Sequence, residues 1–327
     1  MQPISLQPVE AVQITILVDN VTDMLVGNQG PARRFGSSGD APPVVASPLL
    51  DGGTAFDAPL AEHGFSALVT VKADGRDRCL LFDAGVTQDG LVENMRRLSL
   101  SPKDIDTIVL SHGHWDHVMG LHGLVRALGG RVNLPVLIHP EFWMRRRVVI
   151  PGRQPLPLFP ASKTALVGAG FDIVEERRPS FLLNGSVLVT GEVDRTTEFE
   201  RGLPGHQALH NGEWQPDPLV LDDQALLLNV RDKGLVILTG CGHSGIVNIV
   251  RYAQKLTGLE QVYAVIGGFH LPGPVSDVTR QTSRALAAYA PAVVVPTHCT
   301  GFPAMAALAA EMPNAFIQST VGTRFEL

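Results

Sequence analysis

The segment at 107–121, TIVLSHGHWDHVMGL, limits what this chain can fold into more than any other. His112, His114, Asp116 and His117 fall within six consecutive positions, in a chain with only 11 histidines. A regular helix does not put residues two apart on one face. A strand would align His112 with His114 and separate Asp116 from His117. Only a curled loop after the short apolar strand lets all four side chains converge. Imidazole and carboxylate are common ligands of zinc, iron and manganese. Asp116 and His117 are adjacent and point different ways, which suits a second metal beside the first. Two such metals clamp a reacting ester and share a hydroxide. The alternative is a polar loop of hydrogen-bonding or catalytic histidines without metal. Trp115 reads as packing.

The rest of the chain is ordinary globular sequence. Its 327 residues, 45% hydrophobic and 18% charged, are enough for one large core or two smaller ones. A net charge of −6 gives no electrostatic reason to bind nucleic acid. The basic run Arg145, Arg146 and Arg147 reads as the solvated end of a helix. Three cysteines, Cys79, Cys241 and Cys299, do not make a disulfide framework and suggest a reducing compartment. No secretory signal or bilayer-length apolar run is seen, so the expected location is cytoplasmic and no membrane partner is expected.

Periodicity predicts a strand over 12–20 and a hairpin, FSALVTVKADGRDRCLLFDAG, around an Asp-Gly turn. Helix, strand, helix, strand follow over 88–140. A second hairpin, QALLLNV and GLVILTG, is followed by helices and strands in alternation. The expectation is one domain over 1–327, with a loop insertion at about 25–60 and another insertion at about 150–218. The two halves share a style, which suggests two similar layers packed face to face.

A two-metal site needs more ligands, and three further strand ends offer them. VILTGCGHSG carries Cys241 and His243, VVVPTHCTG carries His298 and Cys299, and AVIGGFHLPG carries His270. His298 reads as a ligand. Cys241 and His243 are ligand candidates, although a strand-end cysteine is often simply buried. His270 reads as a proton donor or substrate contact, and Cys299 as a neighbour of the ligands.

These residues resemble the metallo-β-lactamase superfamily. SHGHWDH matches its HxHxDH signature. LLFDAG, at 80–85, resembles the strand after which an aspartate, here Asp83, braces the metal loop. LTGC resembles the strand that ends in a bridging aspartate, with Cys241 in that place. PTHCTG resembles the segment that gives the second metal its last histidine. VDN, EHGFS, TGCGHSGIVN and IGGFHL narrow the likeness to a subgroup of dihydropterin ribofuranosyl-aminobenzene phosphate synthases and metal-dependent hydrolases. The resemblance implies an α/β fold, a four-layer αββα sandwich with the metals at one edge. It implies His112, His114, Asp116, His117 and His298 as ligands, with Cys241 or His243 nearby.

In one place the chain departs from that pattern. The family's Pro-Gly-His-Thr segment, whose histidine completes the first metal site, is replaced by PLVLDDQALLL. Asp222 or Asp223 would substitute, His243 would swing in, His206 would reach over from the insertion, or the first site would bind its metal weakly. An oxygen ligand would favour manganese or magnesium over zinc.

The expected activity is a metal-dependent hydrolase with two divalent ions, zinc first and manganese, magnesium or iron after it. Water readied by the metals would attack an ester-type bond, phosphoesters included, in a small anionic substrate. Asp116 would orient that water, His270 or His243 would protonate the leaving group, and Asn20, His63 and His270 would contact substrate. The rivals are the synthase-type transferase of the subgroup, an iron-dependent persulfide dioxygenase, and a non-catalytic binding module on the same fold.

Overall fold

The computed structural model describes residues 3–37, 42–73 and 75–327. Two β-sheets lie face to face. The first runs in the order Asp172–Glu175, Pro135–Ile138, Ile105–Val109, Arg76–Phe82, Ser66–Ala73, Ala11–Val18, Arg324–Glu326 and Ala32–Arg33. The second runs Ser180–Leu182, Val187–Val189, Ala225–Val230, Gly234–Thr239, Val262–Gly268 and Val293–Thr297, with Pro8–Val9 beside Ala225–Val230.

Side chains on successive strand residues point to opposite faces, and in these strands both faces are apolar. Ile14, Phe82, Leu226, Leu228, Val236 and Leu238 fill the space between the sheets. Their neighbours Leu17, Leu81, Leu227 and Ile237 face outward under helices. Helices Gly90–Arg97 and Leu121–Ala127 cover the first sheet, through Leu91, Met95, Leu121 and Leu124. Ile246–Thr257, Asp277–Ala287 and Phe302–Glu311 cover the second, through residues that include Ile249, Leu286 and Leu308. The result is the expected four-layer αββα sandwich.

Strand direction places the candidate residues. Arg76–Phe82, Ile105–Val109 and Pro135–Ile138 are parallel, as are Gly234–Thr239, Val262–Gly268 and Val293–Thr297. Parallel strands joined by helical crossovers end at the same edge, where ligands of open α/β sheets collect. Asp83, the loop at 111–117, Cys241, His243, His270 and His298 all follow such ends.

Two readings of local sequence meet a different structure. The Arg145–Arg147 run is not a helix end: Arg146 lies in the strand Arg146–Val148 and is buried. It binds Asp217 Oδ2 at 2.8 Å and Asp222 Oδ1 at 2.6 Å, so its charge is compensated inside the fold and not by water. The 25–60 stretch, read as loop, contains the hairpin Val44–Ala46 with Thr54–Phe56 and the edge strand Ala32–Arg33. Residues 38–41 of that stretch, and Asp74 of the first Asp-Gly turn, lie outside the described residues.

The stretch at 150–218 supplies three strands, Leu156–Leu158, His206–His210 and Glu213–Pro216, to a four-stranded sheet completed by Arg146–Val148. It also supplies one strand to the first main sheet and two to the second. Among the described residues no helix is long and apolar enough to cross a membrane.

Candidate metal centre

The strand Ile105–Val109 ends in a loop whose backbone is held from three sides. Gly113 N–H donates to Asp222 Oδ2 at 2.8 Å. A Cβ on Gly113 would stand 2.0 Å from the Phe142 carbonyl oxygen, so only glycine lets the loop pass. Asp83, in the left-handed region with φ +59°, accepts the Ser111 N–H on Oδ1 at 2.7 Å. Its Oδ2 accepts the Ser111 hydroxyl and His117 Nδ1, each at 2.7 Å.

These bonds decide which ring nitrogens are bare. His117 donates from Nδ1 to Asp83, so Nε2 is the nitrogen it turns toward the cluster. The Ser111 hydroxyl spends its proton on Asp83, so at 2.8 Å it accepts from His112 Nδ1 and leaves His112 Nε2 bare. Asn20 does the same for a third ring. Its Oδ1 accepts His298 Nδ1 at 3.2 Å, which frees His298 Nε2. Its Nδ2 lies 3.3 Å from His63 Nδ1 and donates to it, so His63 carries its proton on Nε2.

Ring nitrogens converge at two points. His112 Nε2, His114 Nδ1 and His243 Nε2 are 3.0–3.2 Å apart. Burial, then the positive neighbours, holds all three imidazoles well below their usual pKa. The outer nitrogens His114 Nε2 and His243 Nδ1 have no hydrogen-bond partner, and three neutral imidazole nitrogens aimed at one point are a donor set for a cation. A second group gathers at Asp116 Oδ2, with His298 Nε2 at 3.3 Å, His63 Nε2 at 3.7 Å and His117 Nε2 at 3.8 Å. Cys241 Sγ lies 3.1 Å from His117 Nε2 and joins the two groups.

Charge favours cations here. Burial opposes ionisation of Asp116, but His117 and His298 outweigh it and hold the carboxyl well below the usual range. Burial also opposes charge on His117, yet Asp83 and Asp116 on either side push it up to about 9. The space between those carboxylates stabilises positive charge at Nε2, be it a proton or a metal ion.

The structure thus brings together His112, His114, Asp116, His117, Cys241, His243, His298, Asn20 and His63. His270 stands beside His243, ring centroids 4.4 Å apart. It does not bring in the two aspartates. Asp222 is taken up by Arg146 and Gly113, and Asp223 accepts the Ser244 N–H at 2.8 Å. His206 stays outside the donor groups, its ring 5.5 Å from His114. Sequence reasoning missed Ser111 as a relay; the signal was a hydroxyl directly ahead of the first histidine.

Two cavities border the cluster. One, of about 300 Å³, is lined by Gly202, Leu203, His243, Phe269 and His270 among others. The other, of about 410 Å³ and mostly apolar, is lined by Asn20, His298, Phe302, Met305 and Phe316 among others.

Comparison with known proteins agrees with this geometry. Residues 61–252 match the metallo-beta-lactamase superfamily. Over 252 residues the chain is 33% identical to the 7,8-dihydropterin-6-methyl-4-(beta-D-ribofuranosyl)-aminobenzene-5'-phosphate synthase of Methanocaldococcus jannaschii, covering 75% of this chain and 83% of that one. It is 33% identical over 275 residues to a second, uncharacterized protein of that organism, covering 84% and 97%. A solved structure of a metal-dependent hydrolase of the β-lactamase superfamily shares the fold, with TM-score 0.70, 22% identity and coverage of 97% and 99%. With its signature loop, its sandwich and a family match over more than half its length, the chain belongs to the metallo-β-lactamase superfamily.

Proposed function

We propose that this protein is a metal-dependent hydrolase that cleaves an ester-type bond, a phosphoester above all, in a small anionic molecule. The observation that carries this reading is the pair of adjoining donor groups at one sheet edge. His112, His114 and His243 would hold one divalent ion; Asp116, His117 and His298 would hold the other, with Cys241 between them. The first group is all nitrogen, since Asp222 and Asp223 are engaged elsewhere, and this favours zinc or iron over manganese or magnesium. Metal ions so held would polarise the reacting oxygen and make water a nucleophile near neutral pH.

The chain's own groups do the rest. Asp116 is kept ionised, so its carboxylate accepts a hydrogen bond from the attacking water and aims it. His63 is exposed, carries its proton on Nε2 and faces Asp116, which suits it to donate a hydrogen bond to the substrate's leaving oxygen. Asn20 holds His63 and His298 in these roles. His243 is drawn into the first donor group, so proton delivery does not fall to it. The phosphate in the name of the M. jannaschii relative supports the anionic substrate class.

A second reading is a synthase-type coupling of two reactants. The 33% identity to a named synthase favours it, and the cavities beside His298 and beside His243 offer room for two molecules. The test is purified protein loaded with zinc or manganese, with metal content measured. It is assayed on phosphoesters, lactones and thioesters, and separately on a dihydropterin diphosphate with a ribosyl-aminobenzene phosphate. Hydrolysis of a phosphoester that disappears in His117→Ala supports the first reading. Coupled product without hydrolysis replaces it with the second.

A further inference from the structure

Cys241, His270 and Cys299 offer two thiols and an imidazole nitrogen, all within 4.8 Å of one another. They arrive from three different strand ends, after Gly234–Thr239, Val262–Gly268 and Val293–Thr297. The backbone is shaped around their approach. A Cβ on Gly268 would stand 2.8 Å from Cys299 Sγ and 3.0 Å from the Cys241 Cα, so glycine is what leaves the thiols room. His270 has φ +38°, and His298, next to Cys299, has φ +45°; both are uncommon outside glycine. His270 Nδ1 is buried without a hydrogen-bond partner. Cys299 Sγ has a weak 3.5 Å contact with the Cys241 carbonyl.

We propose that Cys241, His270 and Cys299 form a third cation position, selective for a thiophilic ion such as zinc or copper(I). The Cys241 sulfur is shared with the neighbouring group of His112 and His117, 3.1 Å from His117 Nε2. Two soft sulfurs and one imidazole select such ions over magnesium or manganese. A tetrahedral zinc holding sulfur and nitrogen sets its donors roughly 3.5–3.8 Å apart, so small side-chain rotations suffice. Each thiol releases its proton to solvent as its sulfur binds, and nothing is oxidised or reduced. The remaining cysteine, Cys79, is apart from this group, 3.6 Å from Thr70 Oγ1. The proposal goes beyond the reading of the two main donor groups and holds for hydrolysis or coupling alike.

The test is a titration of metal-free protein, kept reduced with a phosphine, with cadmium. Cadmium per chain after desalting and ultraviolet thiolate-to-cadmium absorption are read for the wild type and for Cys299→Ser. The wild type should hold one more cadmium than the variant, and the variant's absorption should fall to about half, one thiolate in place of two. In the wild type itself, cadmium should protect Cys299 from iodoacetamide while Cys79 labels at an unchanged rate. This arm does not depend on how the variant folds. An unchanged cadmium count in Cys299→Ser, or a Cys299 that labels as fast with cadmium as without, overturns the proposal. If His117→Ala loses cations where Cys299→Ser keeps them, the two-metal reading stands and the third position falls.

Discussion

Asn20 shows how much of the site rests on one amide. Through Oδ1 and Nδ2 it fixes the tautomers of His298 and His63, and Nδ2 also lies 3.2 Å from the His298 carbonyl. Asn20→Ala should keep every donor to metal yet lower kcat by about 10–100-fold, the usual cost of losing a group that orients a ligand. Steady-state kinetics on metal-loaded protein decides it, and an unchanged kcat refutes the role. Arg146 tests a different matter, since it neutralises Asp222 in a dry interior and Asp222 in turn holds Gly113. Arg146→Met should cost about 3–5 kcal/mol in urea unfolding because it leaves a buried carboxylate unpaired. Adding Asp222→Asn should recover part of that loss, and a double mutant no better than the single one argues against the pairing. The ligands at 112–117 were legible because their spacing is local. The Arg146–Asp222 pair was not, because its members are 76 residues apart and each looks like a surface charge on its own.

At the scale of elements, a strand end gives each donor its place. Ala225–Val230 and Gly234–Thr239 could be read from sequence because both are mainly apolar runs on either side of Asp232–Lys233. Arg324–Glu326 went unread, and short strands were expected in the 150–218 insertion without a position for Asp172–Glu175, since three or four residues hold too little periodicity to stand out from loop. That His243 would fill the gap in the first donor group was likewise one option among several. The choice depends on where the turn after Gly234–Thr239 falls in space. Gly240 is a tight joint at this edge. A Cβ there would lie 2.1 Å from Ser111 Oγ and 2.5 Å from Asp83 Oδ2. Gly240→Ala should therefore displace the brace that orients His112 and His117, and weaken metal binding by about 10–100-fold. Leu238→Ala, in the sandwich interior two residues earlier, is the control. It should cost about 2–5 kcal/mol of stability and leave metal affinity alone. Equal losses of affinity in both variants would mean that general loosening, and not the Ser111–Asp83 brace, governs the site.

For the whole molecule, the donors form a seam between the two sheets. Asp116, His112, His114 and His117 belong to the first sheet's edge, while Cys241, His243 and His298 belong to the second's. A cation bound by residues of both sheets joins them, and it binds the folded state far better than the unfolded chain, where the donors are scattered. Linkage then fixes the sign. Free metal at a hundred times its dissociation constant should stabilise the fold by about 2.7 kcal/mol per site. Chelation should lower Tm and abolish turnover together, and zinc should restore both. His117→Ala should show a smaller chelator-induced drop, since it removes a donor from the seam. Calorimetry with and without chelator measures this. A Tm indifferent to chelator while activity vanishes would place the rigidity of the seam in the Asp83 and Asn20 hydrogen bonds. The donors would then be preorganised before any ion arrives, and the sheets would not need the metal to stay joined.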